Sequence, residues 1–342
     1  MLEIKHTLCP SCSVGCGINV ILENNAVVGT FPYKRHPVNA GKNCANGRNS
    51  IGNFVNKINE ASISQANVDL DKAFAEVSKE INANDKVTVF LSGNNSLADA
   101  EAIKSFSEEK NLDLVFYADD LRNFEDVASY DDVEDASCVL VIGDVLYENP
   151  LIGRRIVHAK QNGAKIFSNI KAEKSVTANI SDETTSGSVQ EFLDTYKDNL
   201  DDSSVVVFNT VDCEDDLDKI EELGFKILPV YSKTNTKGIL SIADSNSKEE
   251  IIEALNDTKV LLIFNDDVVD DFDFDFKSIS KVISFSAFKN NTTEISDIVI
   301  PIKSWLEYEG SVVNAMGETQ TFVPVMESDV LSVEEVIEKI KG

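Results

Sequence analysis

The sequence predicts an α/β protein in which a small N-terminal domain precedes two Rossmann-like units built on parallel sheets. The first observation is a series of short, continuously apolar segments separated by amphipathic ones, the pattern of strands that helices cover on both faces. The second is a change after Arg48, where short glycine-containing motifs give way to helical periodicity. The third is the crowding of Cys9, Cys12 and Cys16 into eight residues near the N-terminus.

Spacing and turn residues predict the individual elements. Residues 17–31 predict two short strands around an Asn24–Asn25 turn, because asparagine tolerates the positive φ of a tight hairpin. Apolar residues recur at helical spacing over residues 70–81, and Ser96 is in position to cap a second helix. The apolar segments predicted as strands are 86–91, 112–117, 138–143, 164–167, 204–208, 226–230, 260–264 and 282–285.

Charge and hydropathy exclude several classes of protein. The chain has 31 Lys and Arg against 59 Asp and Glu, a formal charge of −28, so it lacks the cationic surface that nucleic-acid binding requires. No segment reaches the roughly 20 apolar residues of a membrane span, and the cysteines begin where the apolar core of a signal peptide would lie. We therefore predict a cytoplasmic protein, in which clustered thiols indicate metal or redox chemistry rather than disulfides.

A fourth residue, Cys44, completes the spacing C-x2-C-x3-C-x27-C with Cys9, Cys12 and Cys16. A structural zinc site usually has two separated pairs of ligands. Three ligands on one loop and a distant fourth suit a 4Fe–4S cubane better, because one loop must reach three iron corners. The spacing favours a 4Fe–4S cluster held by these four cysteines, with a zinc site and a site without metal as the alternatives.

The other cysteines and the histidines are predicted to be structural. Cys138 lies within an apolar strand, and Cys213 lies in an acidic segment that disfavours the thiolate. His6 and His36 are close in sequence to the four cysteines but are not needed as ligands, and His158 is predicted to be a surface residue.

Small residues follow two of the predicted strands, where ligands of α/β sheets commonly bind. They are Ser92 and Gly93 after one strand, and Gly143 and Asp144 after another. No G-x-G-x-x-G motif follows a strand and no P-loop motif occurs. Alone, this pattern favours plain turns over a nucleotide site.

Several stretches resemble the molybdopterin oxidoreductase family, and they occur in the family's order. Residues 9–17 (CPSCSVGCG) and 36–48 (HPVNAGKNCANGR) resemble its N-terminal cluster domain. Residues 135–144 (DASCVLVIGD) and 149–165 (NPLIGRRIVHAKQNGAK) resemble its first pterin-binding segment. Residues 292–301 (TTEISDIVIP) and 307–320 (EYEGSVVNAMGETQ) resemble a later family segment.

Within the family, the chain looks most like formate dehydrogenase alpha (catalytic) subunits, while residues 328–337 (SDVLSVEEVI) resemble the end of formylmethanofuran dehydrogenase subunits of the B type. The resemblance implies a 4Fe–4S cluster domain at 1–60, the first half of α/β unit one at 61–134, a pterin-domain-like unit two at 135–200 and the second half of unit one at 201–342. It also implies a molybdopterin guanine dinucleotide with Mo or W, contacted by Ser92, Gly93, Gly143 and Asp144.

Three departures from the family bear on the expected chemistry. The chain is shorter than the family's catalytic subunits and is expected to lack their C-terminal β-barrel. No Cys occurs between 45 and 137 and no His between 37 and 157, where formate dehydrogenases place a metal ligand and the His after it. Asn46 replaces the lysine that lies between cluster and pterin in many relatives.

The sequence therefore predicts an iron–sulfur protein that relays electrons within a hetero-oligomeric complex, beside a ferredoxin-like or flavin-containing subunit. One alternative is a catalytic Mo or W subunit that oxidises formate or formylmethanofuran, with its barrel supplied by a partner. The other alternative is a cofactor-free scaffold subunit.

Overall fold

The structure, a computed structural model, describes residues 1–172 and 174–341 and has the predicted α/β architecture. The N-terminal part is an antiparallel sheet in the order β1-β2-β3 followed by short helices. Asn24 and Asn25 have φ values of 50° and 63°, which confirms the predicted hairpin turn. The elements are β1 Leu2–Leu8, β2 Gly17–Glu23, β3 Ala26–Pro32, α1 Ala45–Asn49 and a 3₁₀ helix at Ser50–Asn56.

The next segment contains the first strands of a large sheet. The predicted helix over residues 70–81 is confirmed, and the Ser96 hydroxyl caps the following helix by accepting the Asp99 N–H. The elements are β4 Ala61–Ile63, β5 Ala66–Val68, α2 Leu70–Ala83, β6 Val87–Leu91, α3 Leu97–Lys110, β7 Asp113–Phe116 and α4 Tyr130–Glu134.

A second sheet lies entirely between residues 138 and 229. Its elements are β8 Cys138–Ile142, α5 Val145–Glu148, α6 Pro150–Gln161, β9 Lys165–Asn169, α7 Val176–Ile180, β10 Glu183–Thr185, α8 Val189–Tyr196, a 3₁₀ helix at Lys197–Asn199, β11 Val205–Phe208, α9 Glu214–Glu222 and β12 Lys226–Pro229.

The chain then returns to the large sheet. The remaining elements are α10 Thr236–Ile239, α11 Lys248–Asp257, β13 Val260–Phe264, α12 Val268–Asp271, a 3₁₀ helix at Phe276–Ser278, β14 Lys281–Ser286, α13 Asn291–Ile295, β15 Ile298–Pro301, β16 Gly310–Val313, β17 Thr319–Phe322 and α14 Val333–Lys341.

The two sheets are interleaved along the chain. The seven-stranded sheet has the order β5-β4-β15-β14-β13-β6-β7, and the five-stranded sheet has the order β10-β9-β8-β11-β12. The five-stranded sheet is parallel throughout, and the seven-stranded sheet is parallel except at its β4–β5 edge. β6, β8, β11 and β13 are buried along their whole length, as continuously apolar strands require.

The structure corrects the predicted boundary at residue 200. Residues 205–208 and 226–229 were assigned to the second half of unit one, but β11 pairs with β8 of the second sheet, with Val205 opposite Val139. After β10, the chain crosses to the other side of β8 and completes a doubly wound order, 3-2-1-4-5. Strand periodicity alone does not reveal this crossing. Within the described residues, no helix has the length and apolar character needed to cross a membrane.

Candidate metal centre

A tight loop between β1 and β2 brings three cysteines together. The loop closes where the Cys9 N–H donates to the Cys16 carbonyl at 2.7 Å. Gly15 has a φ of +73°, a left-handed conformation that glycine adopts without strain. Residues 9–16 therefore curl back on themselves at the end of a hairpin.

Three distant segments hold this loop in place. Ser13, fully buried, donates its N–H to the Tyr231 carbonyl at 3.2 Å and accepts the Tyr231 N–H at its hydroxyl at 2.8 Å. Its carbonyl accepts the Ala315 N–H at 2.7 Å. The Tyr130 hydroxyl donates to the Val14 carbonyl at 2.9 Å. The loop conformation is thus set by distant parts of the chain as well as by its own hairpin.

Cys44 joins the loop from the first turn of α1. Its sulfur accepts the Gly47 N–H at 3.3 Å, in the position of a helix N-cap. A Cβ built at Gly47 would lie 3.3 Å from the Cys9 sulfur and 3.8 Å from the Cys44 sulfur. Gly47 therefore lies directly beside two of the four thiols.

All four cysteines border one cavity. Cys9 and Cys16 are buried and Cys12 and Cys44 are partly exposed, and none of them forms a disulfide. The other residues around the cavity are Ser11, Val14, Asn43, Asn46, Gly47, Glu148, Asn149, Pro150 and Leu151. In the described part of the chain, no three His, Cys, Asp or Glu side chains converge on a point as ligands of a single ion. Four thiols that line one cavity are, by their chemistry, the donor set of a 4Fe–4S cubane.

Burial governs the chemistry of the metal-free thiols. It raises the pKa of Cys12 to about 12, with a further contribution from Cys9, and raises the pKa values of Cys9 and Cys16. The Asn149 side chain opposes this effect by hydrogen bonding to the Cys12 sulfur. Metal ligation requires deprotonated thiols, so binding of a cluster would release their protons against this effect of burial.

Asn43 is one of the polar side chains at this cavity that sequence reasoning missed. Its amide nitrogen and oxygen are both buried without a hydrogen-bond partner within residues 1–172 and 174–341. Such a group is costly to bury, and cluster sulfides would satisfy its N–H. Asn43 directly precedes Cys44, and this adjacency was the available signal.

The strand-end residues predicted as pterin contacts have internal partners. The Ser92 hydroxyl accepts the Asn94 N–H at 3.1 Å, and a Cβ at Gly93 would lie 2.4 Å from the Thr236 hydroxyl. Gly143 has a φ of +91°, which suits glycine, and Asp144 accepts the Thr177 hydroxyl at 2.7 Å. Ser92 and Gly93 follow β6, whereas Gly143 and Asp144 follow β8 in the other sheet. None of these four residues lines the cysteine cavity or the second cavity beside it.

A second cavity adjoins the first and shares Cys9, Ser11 and Asn46 with it. Its volume of about 380 Å³ lies within the rough 300–1,000 Å³ of small-molecule sites. The remaining residues lining it are Leu8, Pro10, Ser50, Asn53, Asn94, Ser96, Thr234, Asn265, Phe288, Trp305, Tyr308, Val312 and Phe322. Sequence reasoning missed this cavity, although Asn94 directly follows Ser92 and Gly93, the small residues after β6.

The residues predicted to be structural have local partners. Cys138 is buried in β8, and burial raises its pKa to about 11. His158 lies 2.9 Å from Glu134 on the neighbouring helix. His6 stacks on Tyr33 with ring centroids 4.1 Å apart, and neither ring lines the cysteine cavity.

The cysteine-rich N-terminal segment is similar to a known protein family. Residues 2–57 match the family described as the molybdopterin oxidoreductase Fe4S4 domain. The predicted resemblance to molybdopterin oxidoreductases is thus confirmed over this N-terminal segment, which two α/β units follow.

More particular similarities concern formate dehydrogenases. The chain is 30% identical over 190 residues to F420-dependent formate dehydrogenase 1 subunit alpha of Methanococcus maripaludis. It is 29% identical over 207 residues to F420-dependent formate dehydrogenase subunit alpha of Methanocaldococcus jannaschii. These matches cover 48% and 53% of this chain but only 28% and 30% of the relatives.

Two solved structures share the fold. Acetylene hydratase from Pelobacter acetylenicus superposes with a TM-score of 0.68 at 11% identity, covering 98% of this chain and 69% of that one. A chain of the formyltransferase/hydrolase complex from Methylorubrum extorquens superposes with a TM-score of 0.60 at 13% identity, covering 82% of this chain and 97% of that one. At such identities the likeness concerns the fold alone.

Proposed function

We propose that this chain relays single electrons through one 4Fe–4S cluster, bound by Cys9, Cys12, Cys16 and Cys44, within a larger redox complex. The observation that carries the proposal is that these four thiols border one cavity in a domain of the iron–sulfur type. When bound, such a cluster gains or loses one electron at a time.

The surrounding residues are suited to hold and tune that group. The Gly47 N–H donates to the Cys44 sulfur at 3.3 Å, and the polar side chain of Asn149 lines the same cavity as Cys12. Hydrogen bonds to ligand sulfurs favour the reduced, more negative state and so raise the reduction potential. The buried loop around Ser13 limits access of water from one side.

A single cluster needs both an electron donor and an electron acceptor. The two cysteines outside the set lie apart from the cavity, Cys138 in the core of the second sheet and Cys213 on the surface. The proposal therefore includes a second redox subunit, ferredoxin-like or flavin-containing, next to the cluster domain.

The second cavity favours one alternative function. It is large enough for a small molecule and adjoins the cysteine cavity, as a pterin site would in a catalytic subunit. Few side chains there could coordinate Mo or W. Cys9, already assigned to the cluster, is the one Cys or His among the residues that line this cavity. We therefore place electron relay first and pterin-dependent formate or formyl oxidation second.

Metal content separates these functions. Protein purified anaerobically from cells supplied with Fe, Mo and W should contain about four irons per chain and show the EPR signal of a reduced cubane. Replacing Cys12 by Ala should remove most of the iron, whereas the matched Cys138→Ala variant should retain it. Bound Mo or W would favour the catalytic alternative, stoichiometric zinc would overturn the cluster, and absence of metal would favour a scaffold.

A further inference from the structure

Charge is distributed very unevenly along this chain. Residues 1–57 contain six Lys and Arg and only two Glu, a formal charge of +4. Of the totals of 31 and 59, the remaining residues keep 25 basic and 57 acidic groups, a formal charge of −32. The domain with the cluster cysteines is thus cationic within a strongly anionic protein. Surface potential of this kind selects binding partners and accelerates their association.

The cations border a groove on the open face of the N-terminal sheet, which we call the basic groove. Its residues are Ile4, His6, Asn19, Phe31, Pro32, Tyr33, Lys34, Arg35, Ala40, Gly41 and Lys42. The strand register places His6 opposite Asn19 and Asn19 opposite Phe31, so these side chains form one row across the sheet.

The groove combines exposed apolar and cationic groups. Ile4 is 58% exposed and Phe31 is 37% exposed. Lys34, Arg35 and Lys42 are exposed, and no carboxylate within residues 1–172 and 174–341 lies within 4.0 Å of their charged groups. An apolar floor with a charged rim is typical of a protein interface.

Tyr33, which lines the groove, contacts the residue that follows the cluster loop. The Tyr33 N–H donates to the carbonyl of Gly17, the residue after Cys16, at 3.2 Å. The His36 ring packs against Gly17, where an added Cβ would lie 2.4 Å from the ring. Tyr33 in turn stacks on His6. The basic groove is thus linked through Tyr33 to Gly17, the residue next to the ligand Cys16.

We infer that the basic groove is the docking site of a small acidic protein that carries an iron–sulfur cluster and exchanges electrons with this chain. The inference rests on the proposed electron relay and names its partner and its surface. In each exchange one cluster loses one electron and the other gains it, and no bond or proton is transferred. The cations provide the charge complementarity, while Ile4 and Phe31 supply apolar contact.

The test compares two variants of the full chain with equal changes in charge. The first carries Lys34→Glu, Arg35→Glu and Lys42→Glu in the basic groove. The matched control carries Lys72→Glu, Lys259→Glu and Lys277→Glu on exposed positions of the α/β units. Iron content and the EPR signal of both are measured first, and a recombinant acidic 2[4Fe–4S] ferredoxin is then titrated into each by calorimetry at low and high salt.

We expect the groove variant to keep its iron and to bind ferredoxin at least about tenfold more weakly than wild type at low salt, with the difference shrinking at high salt. The control should change affinity less than about threefold, since none of its three residues lines the basic groove. Equal affinities of the two variants, or binding of a flavodoxin instead of the ferredoxin, would overturn the inference. If the purified wild-type protein contained no iron, that result would count against the proposed electron relay, whatever the binding experiment shows.

Discussion

The N–H of Gly47 donates to the sulfur of Cys44 at 3.3 Å, and a Cβ added at Gly47 would lie 3.3 Å from the sulfur of Cys9. Cys44 thus caps the helix that contains Gly47. Because Gly47 has no side chain, the sulfurs of Cys9 and Cys44 can both lie close to it. The short helix α1 therefore serves the metal site directly, through a backbone donor and through the small size of its glycine.

The first prediction is that Gly47→Ala lowers cluster retention. The added methyl would lie 3.3 Å from the Cys9 sulfur, so a sulfur must move to accommodate it. We expect iron to be lost severalfold faster in air, measured by loss of visible absorbance. The matched Gly52→Ala variant, which has open space at that position, should lose iron at the wild-type rate. Equal rates for both variants would show that Gly47 is not close to the bound cluster.

The second prediction concerns Asn39, which clamps the residue after Cys16. Its buried side chain accepts the Gly17 N–H and donates to the carbonyls of Gly17 and Lys42, at 2.9, 2.9 and 2.7 Å. Asn39→Ala should lower the free energy of unfolding by about 2–4 kcal/mol, because buried groups lose their partners. Urea denaturation measures this change. Asn162→Ala, at an exposed helix end, should cost less than about 0.5 kcal/mol.

The third prediction concerns the buried ion pair that joins the N-terminal domain to the C-terminal region. Lys57 and Glu307 are 2.6 Å apart, and their side chains are 12% and 1% exposed. Glu307→Ala should cost about 3–5 kcal/mol, because it leaves the largely buried Lys57 ammonium without its counter-charge and the buried Ser304 N–H and hydroxyl without their acceptor. The exposed pair Lys79–Glu76 is the control, and Glu76→Ala should cost about 0–1 kcal/mol. If the double variant Lys57→Met/Glu307→Leu is no more stable than Glu307→Ala, the unpaired charge of Lys57 is not the cause of the lost stability.

Sequence reasoning succeeded for features that depend on local spacing. Three of the four cysteines share one loop, and the fourth caps the next helix. The spacing of the cysteines therefore predicted that they come together at one site. The helix that Ser96 caps and the Asn24–Asn25 turn were predicted for the same reason. The helix cap and the turn depend on residues within one or two turns of the chain, whereas Cys44 was recognised from the spacing of all four cysteines.

Features that depend on sheet order and long-range packing were not predictable in this way. The chain crosses from β10 to the far side of β8, and no residue in either strand signals that step. Strand β1 was missed although apolar side chains alternate along it, and the structure shows that two of them, Leu2 and Ile4, are exposed. The second cavity was missed because residues from Leu8 to Phe322 come together only in the folded chain.

The fourth prediction is an acid-dependent loss of stability centred on Asp201. Hydrogen bonds from Ser137 and Ser203 lower the pKa of its carboxyl to about 2, below the ordinary value of 3.8. Because the folded-state pKa is lowered, the stabilisation is present in full above the unfolded-state pKa. It is lost as the pH falls through the folded-state value.

Asp201→Asn should therefore be less stable than wild type at pH 7, and the difference should shrink as the pH falls from about 4 toward about 2. Thermal unfolding of both proteins across this range measures the difference, so acid effects common to both cancel. Asp202→Asn, one residue away, is the control for the loss of one surface charge. A difference between Asp201→Asn and wild type that does not change with pH would rule out the carboxylate as its source.

The fifth prediction is that this chain does not oxidise formate. Formate carries a negative charge, and enzymes orient such a group with positioned cations or other donors. The residues that line the second cavity include no Arg, Lys or His, so formate would enter without a counter-charge. Its one cysteine, Cys9, belongs to the proposed cluster ligands. We expect no formate-dependent reduction of a viologen dye under anaerobic conditions, with Mo or W supplied during expression and any co-purifying partner protein retained. Turnover that tracks bound Mo or W, and is lost on removal of that metal while iron stays bound, would make the chain a compact catalytic subunit instead of an electron carrier.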